Sequence, residues 1–269
     1  MKHFVLALVA AATLCTPAVA QNKVKNIYAS SNTLNIEMLA QTDQTVQLNR
    51  YFFAGYNTLC LPMTLDANQL QQAAPGISIE RLVAIAQTGD VLNLYFLDCT
   101  DEGIKAGVPY LVNSPKNQYL RVKNSDVGTI SNDLKTVRMS DGKGNTVAFS
   151  SNWETVKKDG RYGIPAQQDV TPLQSVLIRT EADKSFLPTR CGFCWEQQAA
   201  SATKLEIKHI GSMAELGVLG IHSAIGSQQV VDVYDLNGRV IRKQVMLGDA
   251  TNGLSHGVYI VDGEKVTVQ

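Results

Sequence analysis

Short stretches of alternating hydrophobic and polar residues run along most of the chain, separated by Gly, Asn, Asp and Pro. These stretches are rich in β-branched and aromatic residues, a pattern typical of β-strands bounded by turns. Regularly spaced short strands favour a sandwich or a barrel over a parallel α/β sheet. The clearest predicted strands are Val46–Phe53, Ile77–Ile85, Val91–Leu97, Tyr110–Val112, Tyr119–Val122, Thr146–Phe149 and Leu173–Arg179.

Two segments depart from strict alternation. The strand Val91–Leu97 is mostly apolar, which predicts that both of its faces are buried. A single short helix is predicted after Asp66, a suitable N-cap residue, with Leu70 and Ala74 on one face and Pro75-Gly76 at its end.

The last third of the chain has its own pattern. Small, polar residues at 197–203 and 223–229 mark two breaks in composition, and the alternating segment 204–210 between them predicts a strand. Beyond the second break, Asn237-Gly238 predicts a type I′ hairpin turn, and Asp262-Gly263 predicts another turn before the last strand. We therefore predict an all-β protein. A β-sandwich or barrel-like module spans 24–200, a linker strand spans 201–210, and a small β-sandwich-like domain spans 211–269.

The first twenty residues have the order of a secretory signal peptide. Lys2 precedes an apolar run, Pro17 ends the run, and Ala18-Val19-Ala20 supplies small residues for cleavage between Ala20 and Gln21. The run is about half the roughly 20 residues that a membrane span needs. No later stretch approaches that length, so we expect an exported protein that is not integral to a membrane.

Charge is nearly balanced. The chain has 24 basic and 24 acidic residues, and removal of the signal peptide takes away Lys2. A balanced charge supplies no field that would draw the protein to nucleic acid, so we expect no nucleic-acid partner.

The C-terminal segment carries a family resemblance. The stretches VYDLNGRVIRK and GLSHGVYIVDGEKVTV resemble the C-terminal sorting domain of the type IX secretion system of Bacteroidetes. The resemblance implies passage through the outer membrane by contact with the secretion machinery, then release or attachment at the cell surface. If the tail is not an active signal, the protein stays in the periplasm. The matching positions are Tyr234, Asp235, Gly238, Arg239, Gly257, Tyr259, Ile260, Gly263 and Lys265.

The middle of the chain has a second resemblance. YFFAGYNTLCLPMTL at 51–65 and EGIKAGVPYLV at 102–112 are similar to segments of an exported β-rich module from the same phylum. This resemblance supports the fold class and implies no activity.

Four cysteines remain after signal cleavage: Cys60, Cys99, Cys191 and Cys194. An even number in an exported chain favours disulfides. We prefer the pairs Cys60–Cys99 and Cys191–Cys194, and a bond from Cys60 to one of the other two is the main competitor. Cys191-Gly-Phe-Cys194 also has the CxxC spacing of thiol oxidoreductases and, together with Cys60 and Cys99, the ligand number of a zinc site.

Other candidate chemistry is weaker. The histidines left after cleavage, His209, His222 and His256, all lie late in the chain, which disfavours a histidine-dependent nucleophile. Acidic residues at 98, 101 and 102 are explained by a surface turn, and the segment Asp141–Asn145 fits a hairpin turn better than a calcium loop. Aromatic residues offer either core packing or stacking platforms for sugars. They are Tyr51, Tyr56, Tyr95, Tyr110, Tyr119, Tyr162, Trp153 and Trp195.

Together these features predict a secreted or cell-surface protein with a binding or structural role, without enzymatic activity or cofactor. Its ligand would be a glycan or a protein. The alternatives are a carbohydrate-binding module, a hydrolase, or a thiol oxidoreductase that uses Cys191 and Cys194.

Overall fold

A computed structural model describes residues 24–157, 160–164, 177–179, 185–219, 221, 230–246, 250–251, 253–261 and 264–268. The predicted signal peptide with its cleavage site at Ala20 and Gln21 lies outside the described residues, as do His222, the Asp262-Gly263 turn and the first residues of the predicted strand Leu173–Arg179.

The described residues form many short strands and three short helices, which confirms the predicted all-β class. The helices are α1 (Ile36–Leu39), α2 (Ala67–Ala73) and α3 (Met213–Val218). The strands of the first module are β1 (Lys25–Tyr28), β2 (Val46–Phe52), β3 (Gly55–Leu59), β4 (Ser78–Thr88), β5 (Val91–Asp98), β6 (Tyr110–Ser114), β7 (Gln118–Lys123), β8 (Val137–Ser140), β9 (Thr146–Ser151), β10 (Val156–Lys157), β11 (Tyr162–Gly163), β12 (Ile178–Arg179), β13 (Ser185–Phe186), β14 (Cys191–Gln197) and β15 (Lys204–Ile210). The later strands are β16 (Val230–Asp235), β17 (Val240–Met246), β18 (Gly257–Val261) and β19 (Glu264–Val268).

The first module is built on a five-stranded sheet in the order β15-β5-β4-β6-β3. One face of this central sheet packs against a second five-stranded sheet, β12-β11-β14-β9-β8, through a core that includes Phe96, Phe149 and Phe193. The other face is covered at one end by the three-stranded sheet β1-β2-β7 and at the other end by α3. Alternation of side chains along each strand explains how one sheet supplies two cores.

The predicted burial of β5 on both faces is confirmed. Leu92, Leu94 and Phe96 point into the core between the two five-stranded sheets, whereas Tyr95 and Leu97 pack under α3. The predicted helix is also confirmed as α2. Asp66 accepts a hydrogen bond from the backbone of Gln69 at 2.8 Å, and the Gln69 side chain accepts one from the Asp66 backbone at 2.9 Å, which is a capping box.

The segment predicted as a linker strand is part of the first module, which is a correction. β15 pairs in parallel with β5 along its whole length, from Lys204 opposite Val91 to Ile210 opposite Leu97. Leu205 and Ile207 are buried in the core between the five-stranded sheets. The local alternation of residues cannot predict this pairing, because the partner strand β5 lies more than one hundred residues away in the sequence.

The segment after β15 also differs from the prediction. Residues 213–218 form helix α3 rather than a strand, and Leu216 packs on Val83 and Tyr95 of the central sheet. The predicted C-terminal domain therefore begins with a helix that belongs to the packing of the first module.

The C-terminal strands form one antiparallel sheet, β17-β16-β18-β19. Its buried face carries Val233, Tyr259 and Val261, which pack with Ala250 from the connection between β17 and β18. Within the described residues this region is a single sheet, so the second layer of the predicted sandwich is not seen there.

The β16–β17 turn differs from the predicted type I′ geometry. Gly238 has φ +77°, but Thr189 is the single non-glycine residue with positive φ among the described residues, so Asn237 is not in the left-handed region. Asp235 instead accepts backbone hydrogen bonds from Asn237 and Arg239, both at 2.9 Å. A turn followed by one left-handed glycine is typical of three-residue hairpin loops with a bulge.

Burial of β15 predicts the effect of truncating Ile207, which is 3% exposed. We expect Ile207→Ala to lower the free energy of unfolding by about 2–5 kcal/mol, because the lost methyl groups leave a cavity between the two sheets. Chemical denaturation of the full chain measures this loss.

Lys208→Ala is the matched control, since the neighbouring Lys208 side chain is half-exposed and its ion pair with Glu206 lies at the surface. Equal and small effects of the two substitutions would indicate that β15 is only a linker.

Candidate functional site

The outer face of the β1-β2-β7 sheet carries a strip of exposed and half-buried aromatic residues, which we call the aromatic face. Along β2 the residues that point inward include Leu48 and Phe52, so Tyr51 lies on the outer side. Tyr51 is directly opposite Tyr119 of β7, and Phe53 follows β2 on the same side. Tyr28 of β1 is 46% exposed and Tyr119 is 37% exposed.

The rings of the aromatic face contact one another edge to face. The Tyr51 ring lies 4.9 Å from that of Tyr119 at 64°, and 5.1 Å from that of Phe53 at 90°. The Arg121 guanidinium stands 5.0 Å from the centre of the Tyr119 ring. These contacts hold Tyr51 in the middle of the strip and leave part of each outer ring accessible, although the rings are not coplanar.

A network of side-chain amides lies beside the rings. The Asn49 amide nitrogen donates to Asn26 Oδ1 at 3.0 Å, and the Gln47 amide nitrogen donates to Asn49 Oδ1 at 2.9 Å. Asn49 lies between Tyr28 on β1 and Arg121 on β7 in the strand register. Since neighbouring strands are about 4.8 Å apart, the three strands present a face roughly 10 Å across. Aromatic rings, amides and one guanidinium therefore share a surface as wide as a small ligand.

Arg50 supports this face from below. It is 5% exposed, its guanidinium lies 5.2 Å from the Phe52 ring, and it donates to the backbone carbonyls of Tyr51 and, at 3.2 Å, Thr58. Burial, and secondarily the positive charge of Arg190, lowers the pKa of Arg50 to about 9. The Arg50 side chain thus anchors the backbone that carries Tyr51 to strand β3 of the central sheet.

The aromatic residues singled out from the sequence separate into two groups. Tyr51 and Tyr119 lie on the aromatic face, whereas Tyr95 and Tyr110 are buried. The remaining predicted residues, Tyr56, Tyr162, Trp153 and Trp195, are partly buried and pack against the core between the five-stranded sheets.

Sequence reasoning missed Tyr28, Phe53, Arg121 and the amides. The alternation of Gln47, Asn49 and Tyr51 with inward-pointing residues was the available signal for the β2 part of the face.

The two preferred disulfide pairs are corrected by the structure, in which all four cysteines are free thiols. Cys191 and Cys194 lie three residues apart in the extended strand β14, so their side chains point to opposite faces and their Cα atoms are about 10 Å apart. Cys60 is buried between the five-stranded sheets and Cys99 in the core under the β1-β2-β7 sheet. The central sheet separates Cys60 from Cys99.

The same placement weakens the other cysteine hypotheses. A redox CxxC motif needs both sulfur atoms on one turn, usually at the N-terminus of a helix. Here Cys191 and Cys194 lie in the extended strand β14, which is neither a turn nor a helix N-terminus. Burial raises the pKa of Cys191 to about 12, which disfavours the thiolate that such chemistry requires. The predicted zinc ligands do not converge, and the described residues contain no group of three or more His, Cys, Asp or Glu arranged for a metal.

The acidic residues singled out from the sequence lie in turns or, for Asp98, at the end of strand β5. Asp98 accepts a hydrogen bond from the Thr100 backbone at 2.8 Å, and Glu102 forms an exposed ion pair with Arg81 at 3.4 Å. Asp141 accepts backbone hydrogen bonds from Lys143 at 2.8 Å and Asn145 at 3.0 Å within the β8–β9 hairpin. These carboxylates therefore shape loops.

His209 on β15 makes a polar contact inside the first module. Its Nδ1 lies 2.6 Å from Glu80 Oε2, and its ring stacks on Tyr56 with centroids 4.5 Å apart and planes at 15°. Burial, and then the Glu80 charge, raises the pKa of Tyr56 to about 12. His209 thus connects β15 to β4 through Glu80 and to β3, at the opposite edge of the central sheet, through Tyr56, and neither contact was predicted from the sequence.

The residues of the tail motif occupy the C-terminal sheet. Asp235 and Arg239 close the β16–β17 turn, with Arg239 Nε 3.3 Å from Asp235 Oδ2, and backbone hydrogen bonds chiefly from Arg239 lower the pKa of Asp235. Tyr259 is 9% exposed and donates to the Ser255 carbonyl at 3.0 Å. The remaining described positions are Tyr234 and Gly238 near that turn, Gly257 and Ile260 on β18, and Lys265 on β19, whereas Gly263 lies outside the described residues.

Among the described residues, no helix combines the length and apolar character that a membrane crossing requires. No family model, curated protein or solved structure matches the chain.

The buried thiols and phenols predict a loss of stability at alkaline pH. Burial raises the pKa of Cys99, Cys191, Tyr56 and Tyr110 to about 12. The unfolded chain loses these protons first, so stability is full below about pH 9 and is lost as the pH rises towards 12. Three pKa units correspond to about 4 kcal/mol per thiol. Urea denaturation in reducing buffer from pH 8 upward, followed by fluorescence, measures the fall.

Cys99→Ala is the control for this pH dependence, and its slope above pH 9 should be shallower than that of the parent chain. Arg50 acts in the opposite direction, since its lowered pKa means that the folded chain releases this proton first. A free energy of unfolding that does not change between pH 9 and 11 would contradict the prediction.

Proposed function

We propose that this chain is an exported, non-enzymatic binding protein that contacts its ligand through the aromatic face and reaches the cell exterior through its C-terminal sheet. The observation that supports binding is the strip of Tyr28, Tyr51, Phe53 and Tyr119 beside Arg121 and the amide network. Tyrosine and arginine are enriched among the residues that contribute most to binding, and a tyrosine ring loses little conformational entropy when it is covered.

Carbohydrate is the ligand class that this surface favours within that proposal. A pyranose has an apolar face that a tyrosine ring can cover, and hydroxyl groups that need donors and acceptors. The exposed Asn26 and the half-buried Gln47 amides offer both kinds of group above the buried Asn49, and the Arg121 guanidinium adds donors.

A protein ligand remains the second candidate, because tyrosine and arginine are also enriched in the centres of protein interfaces. The aromatic face is small and carries buried, satisfied amides such as Asn49. A surface that is roughly 10 Å across is narrow for a stable protein interface, which covers about 800 Å² on each partner.

Substitution of the outer rings tests glycan binding. We expect Tyr28→Ala and Tyr119→Ala each to weaken binding to immobilised neutral oligosaccharides by about tenfold or more, equivalent to about 1.4 kcal/mol, because the covered ring area is lost. Tyr119→Phe should keep most of the affinity. Glycan-array screening of the full chain, followed by calorimetry with the best neutral oligosaccharide, provides the measurement.

Leu134→Ala is the matched control, because Leu134 is 40% exposed and lies outside the aromatic face. Unchanged binding in both tyrosine-to-alanine variants would remove the aromatic face as the binding surface. Absence of binding to every neutral oligosaccharide, with capture of a protein ligand that the two variants abolish, would favour the protein alternative.

The proposed sorting role rests on the resemblance of the tail and on the geometry of its motif residues. Asp235, Gly238 and Arg239 build one turn at an end of the C-terminal sheet, and Tyr259 orders the segment that leads into β18. In this proposal the secretion machinery recognises this turn and the sheet that carries it.

Cell fractionation tests sorting. In a bacterium with type IX secretion, we expect the full chain to reach the surface or the medium, and a chain that stops at residue 229 to remain in the periplasm. Asp235→Ala should reduce export, because the turn loses the carboxylate that accepts hydrogen bonds from the backbone N–H groups of Asn237 and Arg239. Thr267→Ala, at an exposed position of β19 outside the motif, should be exported like the parent chain. Equal export of the shortened chain would exclude a sorting role for this region.

A further inference from the structure

Cys60 and Cys191 lie in the same core, between the two five-stranded sheets, and share Ser151 as a neighbour. Cys60 is fully buried and follows β3, whereas Cys191 is 1% exposed and begins β14. They lie 131 positions apart in the sequence, yet both belong to the same hydrophobic cluster.

Three hydrogen bonds fasten the two backbones at this point. The Cys60 N–H donates to the Thr189 carbonyl at 2.9 Å. The Thr58 hydroxyl accepts from the Cys191 N–H at 2.8 Å and donates to the Cys191 carbonyl at 3.1 Å. Thr189 has φ +67°, a conformation that L-residues rarely adopt, and it is fully buried. The turn before β14 is therefore held in an unfavourable conformation that places its carbonyl at Cys60.

The hydroxyl of Ser151 on β9 reaches both thiols. It donates to the Arg190 carbonyl at 2.9 Å and contacts Cys60 and Cys191, which lowers the pKa of each. This effect is smaller than that of burial, which raises the pKa of both thiols, and the pKa of Cys60 is raised further by Cys191 itself. The two sulfur atoms thus share one polar neighbour and influence each other directly.

The other two cysteines are placed differently. Cys99 lies in the core under the β1-β2-β7 sheet, where its thiol is 3.6 Å from the Ile79 carbonyl. Cys194 is on the face of β14 opposite to Cys191 and is partly exposed. Cys60 and Cys191 are the pair that the fold brings together.

We propose that Cys60 and Cys191 form a disulfide bond when the chain folds in an oxidising compartment. The oxidant is a disulfide-bonded thiol oxidase or a small-molecule disulfide such as oxidised glutathione. The thiolate of one cysteine attacks a sulfur of the donor and displaces one donor thiolate. The thiolate of the second cysteine then attacks the mixed disulfide and displaces the other. One S–S bond is broken in the donor and one forms in the protein, and two cysteine protons pass to the two donor thiols.

The timing of this reaction follows from burial. Thiolates are scarce once the pair is enclosed, since the pKa of Cys191 reaches about 12 in the folded chain. Oxidation therefore takes place during folding, while the thiols are still accessible. The bond joins the β3 end of the central sheet to β14 of the facing sheet and closes a long loop, which is the arrangement in which a crosslink restricts the unfolded chain most.

Peptide mapping tests the proposal. The full chain, purified from an oxidising compartment without reductant, is alkylated under denaturing conditions and digested with trypsin and chymotrypsin. Cleavage after Arg190 and after Phe193 separates Cys191 from Cys194. We expect the peptides with Cys60 and Cys191 to be linked, and Cys99 and Cys194 to be alkylated. Full alkylation of Cys60 and Cys191, or a link from either one to Cys99 or Cys194, would overturn the assignment.

Stability supplies a second measurement that does not depend on digestion. We expect reduction to lower the urea midpoint of the parent chain and of Cys194→Ser, but not that of Cys60→Ala/Cys191→Ala. If the double variant fails to fold, peptide mapping of the parent chain still settles the pairing. Identical midpoints of the oxidised and reduced parent chain would count against the bond. The fully reduced, folded chain should also resist oxidation by oxidised glutathione until it is unfolded, and fast oxidation of the folded form would contradict the proposed timing.

Discussion

Contact among Phe96, Phe149 and Phe193 holds the two five-stranded sheets of the first module together. Phe149 and Phe193 stack with centroids 4.3 Å apart and planes at 7°, and Phe96 meets both rings edge-on at 5.8 and 6.1 Å. All three rings are fully buried. Because Phe96 belongs to the central sheet and the other two to the facing sheet, their packing sets the spacing at which every other contact between these sheets is made.

The central sheet also fixes the position of the elements that pack on its other face. Strand β5 points Phe96 into the aromatic core and Tyr95 towards α3, and Leu59 and Val112 of the same sheet pack under β2. This packing covers the inner face of the β1-β2-β7 sheet, and the outer face is left to carry the aromatic residues. The aromatic face is thus the solvent side of a layer whose position is fixed by two hydrophobic cores beneath it.

Polar side chains inside the first module form hydrogen bonds that join neighbouring sheets and strands. Arg50 links the backbone under Tyr51 to Thr58, and Thr58 in turn bonds the backbone of Cys191. The His209–Glu80 contact connects β15 to β4. A buried polar group without a partner costs free energy, so each of these contacts favours one arrangement of strands over its alternatives. The proposed Cys60–Cys191 bond lies at the same junction as Thr58.

Alternation and turn residues by themselves determined the β class, the strands β2, β4 to β7 and β9, the double burial of β5 and the capped helix after Asp66, whereas β3 and β8 were not predicted. These features depend on neighbours within one element, and local sequence contains those neighbours. Only the tertiary structure decided that β15 pairs with β5, that Cys191 and Cys194 point apart while Cys60 approaches Cys191, and that Tyr28 joins Tyr119 on one surface. Each of these features depends on which distant strands become neighbours. The strand arrangement must bury both faces of the central sheet at once, and no single segment of the chain determines that arrangement.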